Sequence, residues 1–207
     1  MKYLLCHYIK ECYNNGWIAP IDGNLSIKLL NNDFFYITPA SLRKHEINND
    51  DIVKIDIDYN EDSIHIDKES SREPSGELHL HSKFMLDKEY KDKNVCIVHC
   101  HPPYILAYVG ILKSNRQLKT IKKIFPEINI DIGDNVPYIE AKTQQLADKT
   151  YENLKNHSIV ALKQHGIVCI SESFQKAMEI IETLEYYCSI ALLEVPNKPK
   201  ILSIKKL

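Results

Sequence analysis

Apolar residues along the chain recur with two periods, one near four and one of two, and these mark out helices and strands. Leu4, Leu5, Tyr8, Ile9 and Cys12 have helical spacing, which predicts a helix over residues 2–15 with Gly16 as its stop. Leu25–Leu30 and Phe34–Thr38, separated by the turn residues Asn31, Asn32 and Asp33, read as a hairpin. The stretch DIVKIDID, Asp51–Asp58, alternates strictly and predicts a half-buried strand, with Ile64, His65 and Ile66 as a short partner. Glu77–Asp87 reads as a helix with Leu78, His81, Phe84 and Met85 on one side. Val95–His99 is a short buried strand, and a helix begins near Pro103, where proline suits a first turn. Ile128–Ile132 reads as a strand and Thr143–Asn156 as an amphipathic helix. Ile159–Leu162 and Ile167–Ile170 read as strands on either side of Gln164, His165 and Gly166. Ser173 suits the N-cap of a long helix running to about Leu193, and Pro196 and Pro199 mark an extended tail. There is no internal repeat or interdomain linker. These elements predict an α/β fold, a single domain over residues 1–207 with a central mixed, mainly antiparallel sheet flanked by helices.

Composition narrows the class without naming a function. Hydrophobic residues make up 44% of the 207, enough for a globular core, and the formal net charge of −2 points to neither nucleic acid nor an anionic membrane. No apolar run approaches membrane-spanning length. The N-terminal stretch is broken by His7, Lys10 and Glu11 and lacks the pattern of a signal peptide. The six cysteines lie mostly within apolar stretches and form no C-x-x-C pair, which predicts reduced, buried thiols and a cytoplasmic protein.

The candidate chemistry centres on histidine. In VHCHPPY, His99 and His101 lie one residue apart at the end of a strand. If the segment is extended they share a face, roughly 7 Å apart at Cα, which suits two ligands of one metal ion. An H-x-H-x-D-H hydrolase would need Asp where Pro103 stands, and a metal-dependent amidohydrolase barrel would need roughly 250 residues. His165, before Gly166, is either a third ligand or an incidental turn residue; the glycine permits close backbone approach. In REPSGELHLH, Ser75 is a candidate N-cap. Glu77 is then either a first-turn acid stabilised by the helix dipole or a general acid/base beside a metal. His79 and His81 read as structural, His79 facing solvent and His81 on the same helical face as Glu77. Gly23, Asn24, Ala40 and Ser41, in two turns rich in small residues, are either plain turn formers or donors of backbone N–H groups to a phosphate.

Taken in order, G-N-x-S at Gly23–Ser26, I-T-P at Ile37–Pro39, P-S-x-E at Pro74–Glu77, H-x-H-P at His99–Pro102 and Q-H-G at Gln164–Gly166 resemble the class II aldolase/adducin-head superfamily. The resemblance runs from about Gly16 to Leu193. It implies a metal-dependent aldolase that cleaves a phosphorylated ketose, such as L-fuculose 1-phosphate, to dihydroxyacetone phosphate and an aldehyde through an enediolate. It implies that His99, His101 and His165 bind a divalent ion, usually one zinc per subunit. Glu77 would be the catalytic acid/base and a ligand of the resting metal. Gly23, Asn24, Ala40, Ser41, Ser75 and Gly76 fall where the family binds substrate phosphate. The assembly implied is a homotetramer with active sites at subunit interfaces. Three alternatives share the resemblance: a dehydratase like those acting on methylthioribulose 1-phosphate, a pentulose-phosphate epimerase, and a non-catalytic interaction module like the adducin head. The family's fuculose-phosphate enzyme has a C-terminal tail carrying a tyrosine that helps a neighbouring subunit's site. The tail NKPKILSIKKL has none, leaving Tyr138 as a candidate phenol.

Overall fold

The computed structural model of the chain describes residues 1–110 and 116–193. The expected tail and its prolines lie outside the described residues. In chain order the elements are α1 (Lys2–Asn14), β1 (Asn24–Lys28), β2 (Phe34–Ile37), β3 (Val53–Asp58), β4 (Ser63–Ile66), α2 (Leu78–Leu86), β5 (Val95–Cys100), α3 (Pro103–Val109), α4 (Ile121–Ile124), α5 (Gln144–Leu154), β6 (Ile159–Leu162), β7 (Gly166–Ser171) and α6 (Phe174–Leu193). The strands form one seven-stranded sheet in the order β4-β3-β2-β1-β5-β7-β6. Every neighbouring pair is antiparallel. The mixed character expected of the sheet shrinks to two parallel bridges on its edge, Ile132 with Ile159 and Val136 with Leu162.

The pleat sorts side chains into two cores. Leu25, Ile27, Cys96, Val98 and Cys100 pack with Leu5, Ile9 and Leu184 on the face covered by α1, α3 and α6. Val95, Ile97, Phe35 and Ile55 pack with Leu80, Phe84 and Leu146 on the face covered by α2 and α5. His99 shares the parity of Val95 and Ile97, so strand geometry alone aims it at the α2 side. All six cysteines are free and buried, as the sequence predicts. Among the described residues no helix is long and apolar enough to cross a membrane.

Two local expectations are corrected. Ile128–Ile132 is no strand: Ile128 and Ile132 are buried, but the backbone touches the sheet only at the isolated bridge of Ile132. Gly133 next in the chain has no room for a side chain, a built Cβ lying 2.7 Å from Val160 Cγ1, and Pro137 lacks a ladder donor. Ser75 is not the cap of α2 either. Glu77 holds the N-cap position, and the Ser75 hydroxyl accepts a hydrogen bond from the Glu77 N–H at 3.3 Å. That shift removes Glu77 from the first turn and turns its carboxylate towards the sheet.

Candidate metal centre

Antiparallel pairing assembles the histidines. The β1–β5 register sets Asn24 opposite His99, and the β5–β7 register sets Cys100 opposite Ile167, two residues beyond His165. His101 lies just past β5, where its N–H donates to the Trp17 carbonyl at 2.6 Å. His165 sits in the turn between β6 and β7, after Gln164 at φ 60. The three rings meet with centroids 4.7–5.6 Å apart, and one nitrogen from each lies within 4.8 Å of the others. Gly166 makes this approach possible. A Cβ there would overlap the His101 ring, lie 2.6 Å from the Cys100 carbonyl oxygen and 2.9 Å from His99 Cε1.

Glu77 closes the cluster from the helix side. Its Oε2 lies 3.1 Å from His99 Nε2, and its Oε1 lies 3.4 Å from His165 Nε2. His99 Nδ1–H donates to the Ile167 carbonyl at 2.8 Å, which fixes the tautomer and leaves Nε2 bare towards the cluster. His101 Nε2 faces His99 Nε2 at 3.3 Å. Buried Glu77 Oε1 and His165 Nδ1 have no hydrogen-bond partner. Inward-facing imidazole nitrogens beside a carboxylate oxygen without a hydrogen donor form the donor set a divalent cation satisfies, so the residues present fit a metal.

Charge states agree. Burial pushes His101 down to about 3, helped by the neighbouring His99 and His165 rings. Burial pushes His165 down to about 4, again with His99 contributing. Both imidazoles are therefore neutral at pH 7, as ligation requires. Burial alone would raise the Glu77 carboxyl, but His99, the Asn24 amide and the His165 and His81 rings outweigh it and bring it to about 2.

His81, fully buried, is held down to about 3 mainly by burial, with His99 adding to the effect and Glu77 opposing it. A histidine with a depressed folded-state value contributes stability that is fully present above 6.5, its ordinary value, and is lost as pH falls towards 3. Metal-free protein should lose about 2 kcal/mol of unfolding free energy through His81 alone between about pH 6.5 and about pH 5. Urea unfolding at several pH values checks this, with H81Q expected to show a correspondingly smaller loss; equal acid sensitivity in the two proteins would contradict it.

The expected phosphate residues, Gly23, Asn24, Ala40, Ser41, Ser75 and Gly76, line one cavity of about 360 Å³ with the histidines and Glu77. Not all of them have free donors. The Ala40 N–H donates to the Glu73 carbonyl and the Ser75 N–H to the Thr38 carbonyl. The Asn24 carboxamide is engaged with Glu77 and His81. The amides of Gly23, Ser41 and Gly76 carry no hydrogen bond among the described residues. Tyr138 is 63% exposed and does not line the cavity. The cavity also contains Asp22, Lys44 and Lys142, which sequence reasoning missed. Lys44 is 2% exposed, donates to the Pro39 carbonyl at 3.1 Å, and is lowered to about 8 by burial against the pull of Asp22. Nothing in the polar run LRKHE separates this buried lysine from a solvated one.

Three histidines gathered at the ends of antiparallel strands beside a carboxylate make this an α/β protein with a side-chain group that could hold a metal ion. A profile of the Class II Aldolase and Adducin N-terminal domain family matches residues 4–192, and the chain belongs to that family. It is 29% identical over 192 residues to the L-fuculose phosphate aldolase of Methanocaldococcus jannaschii, covering 91% of this chain and 95% of that protein. It is 26% identical over 202 residues to the methylthioribulose-1-phosphate dehydratase of Komagataella phaffii, covering 91% and 80%. A solved L-fuculose 1-phosphate aldolase superposes with a TM-score of 0.68 at 22% identity, covering 93% of this chain and 84% of that one, which shows the shared fold.

Proposed function

We propose that the protein is a zinc-dependent aldolase that cleaves a phosphorylated ketose, such as L-fuculose 1-phosphate, to dihydroxyacetone phosphate and an aldehyde. The observation that carries this reading is the meeting of His99, His101 and His165 with a buried, ionised Glu77 in a cavity that also contains Lys44 and Lys142. His99, His101 and His165 would hold the ion, with Glu77 as a further ligand when no substrate is present. Zinc, when bound, supplies a Lewis acid that polarises the ketose carbonyl and offsets developing negative charge.

The chain's own residues do the rest. Glu77, ionised at neutral pH, accepts the proton of the hydroxyl whose carbon becomes the aldehyde. The bond to the neighbouring carbon breaks, and its electron pair remains on the dihydroxyacetone phosphate fragment. Glu77 returns the proton to that carbon. The amides of Gly23, Ser41 and Gly76 and the hydroxyls of Ser41 and Ser75 would hold the phosphate, with Lys44 and Lys142 balancing its charge. A homotetramer and a cytoplasmic location belong to the same proposal. Ile21, 60% exposed at the cavity wall, is a side chain that a neighbouring subunit would cover.

The 26% identity to a methylthioribulose-1-phosphate dehydratase favours a second reading, in which the same base removes a proton and water leaves without fragmentation. Incubating metal-loaded protein with a panel of ketose 1-phosphates, with a chelated control, separates the two. Chelator-sensitive release of dihydroxyacetone phosphate is expected. An unfragmented, dehydrated product from methylthioribulose 1-phosphate, and no triose from any sugar, would replace aldolase with dehydratase.

A further inference from the structure

Strand β1 alternates apolar and polar residues, yet all five are buried. Of its polar face, Asn24 and Ser26 meet α2 and its N-cap, and the Lys28 ammonium meets the carbonyls of Tyr90, Lys91 and Lys93. Two residues along a strand advance about 6.6 Å, and four along a helix about 6 Å. Asn24 and Ser26 can therefore face Glu77 and His81 as a matched pair of pairs. Three short contacts result. Ser26 Oγ lies 2.6 Å from His81 Nδ1, His81 Nε2 lies 2.6 Å from Asn24 Oδ1, and Asn24 Nδ2 lies 2.9 Å from Glu77 Oε2. None of the four residues is more than 5% exposed, so water cannot substitute for a missing partner.

We propose that Ser26 and His81 are positioning residues that lock the Asn24 carboxamide with its amino group towards Glu77, and so select Oε1 as the oxygen that carries the proton. The inference rests on the reading of Glu77 as the acid/base. The directions follow one from another. A carboxylate only accepts, so Asn24 presents its NH2 to Oε2. Asn24 Oδ1 then faces His81 and must be given a proton, so His81 carries its hydrogen on Nε2. His81 Nδ1 is left as an acceptor, and the Ser26 hydroxyl donates to it. With the amide flipped, its oxygen would meet the carboxylate and its NH2 would meet the hydrogen on His81 Nε2. Held this way, Oε2 is occupied, while Oε1 has no hydrogen-bond partner, lies 3.4 Å from His165 Nε2, and belongs to a residue that lines the cavity.

The test begins with the tautomer of His81, read by long-range proton–nitrogen correlation in histidine-labelled, zinc-loaded protein and assigned by the loss of its signals in H81Q. The expected state has hydrogen on Nε2 and a bare Nδ1. Hydrogen on Nδ1 would reverse the chain of donors and overturn the proposal. The second arm compares His81→Leu, which has no donor, with His81→Gln, which returns an N–H near the position of Nε2. At equal zinc content and unchanged KM, H81L should lose about tenfold to a hundredfold in kcat and H81Q should recover most of it. Equal kcat in H81L and the natural protein would also overturn it. If H81L does not fold, Ser26→Ala replaces it: the Nε2–H tautomer should be kept, because Asn24 Oδ1 still takes that hydrogen, while kcat falls at equal zinc content, and kcat equal to that of the natural protein would be contrary. If no ketose phosphate is turned over, the proposed reaction fails while the tautomer still decides the hydrogen-bond chain. A reversed tautomer with intact turnover removes the positioning role and leaves the reaction standing.

Discussion

Replacing Glu77 with glutamine should reduce kcat by about a thousandfold while leaving fold and bound metal in place. The expectation comes from the separation of roles within the cluster. Glu77 Oε2 accepts from Asn24 at 2.9 Å, and a glutamine oxygen can take that bond unchanged, so the β1–α2 contact survives. The three imidazoles are untouched, so metal content measured on the purified variant should stay near one ion per chain. What disappears is a buried carboxylate that burial alone would protonate but its surroundings keep ionised. An amide at Oε1 can neither take nor return a proton. Single-turnover assays with the best substrate of the panel, beside metal analysis, check this. Turnover near that of the natural protein would remove Glu77 as the proton carrier. Loss of metal together with activity would make it chiefly a ligand.

His165→Ala should lower metal affinity by at least about a hundredfold, more than the loss of a residue outside the ligand set produces. His165 is distant in sequence from His99 and His101, but its ring centroid lies 4.7 Å from that of His99 and 5.6 Å from that of His101. Two imidazoles and a carboxylate would remain, without the third neutral nitrogen that keeps the set closed around the ion. Competition against a chromophoric chelator gives the affinity directly and needs no substrate. Far-ultraviolet circular dichroism should be unchanged, because His165 sits in a turn and its Nδ1 bonds to nothing. Full occupancy in this variant would exclude a three-histidine site.

Much of the site was legible as a set of residues before its geometry was known. H-x-H at a strand end suggested a metal pair by its spacing, whereas His165 in Q-H-G and Glu77 in P-S-x-E stood open on their own residues and joined the expected site only through the ordered motifs of the family resemblance. The role of His81 was not legible. At helical spacing from Glu77 it reads as a core histidine, and only the strand laid across it supplies Ser26 and Asn24 as partners. The residues expected to bind phosphate were half legible as a cavity wall. Turn composition located the cavity wall, but which amides are already bonded depends on chain crossings such as Ala40 to Glu73. Lys44 and Lys142 gave no signal, since a lysine in a polar segment is ordinarily solvated.

The sequence by itself determined where the chain turns, which segments are helical or extended apart from Ile128–Ile132, and the burial of strands whose apolar period is unbroken. DIVKIDID is half buried in alternation, as written, over β3. These features are local, set by side-chain periodicity, proline and glycine. The tertiary structure alone decided the fate of polar residues with the same alternation. In β1 the pattern NLSIK is buried on both faces, because α2 brings Glu77 and His81 to Asn24 and Ser26, and the carbonyls of Tyr90, Lys91 and Lys93 meet the Lys28 ammonium. A buried polar group persists only where a partner satisfies it, and those partners come from segments far along the chain. No local pattern in β1 could announce them.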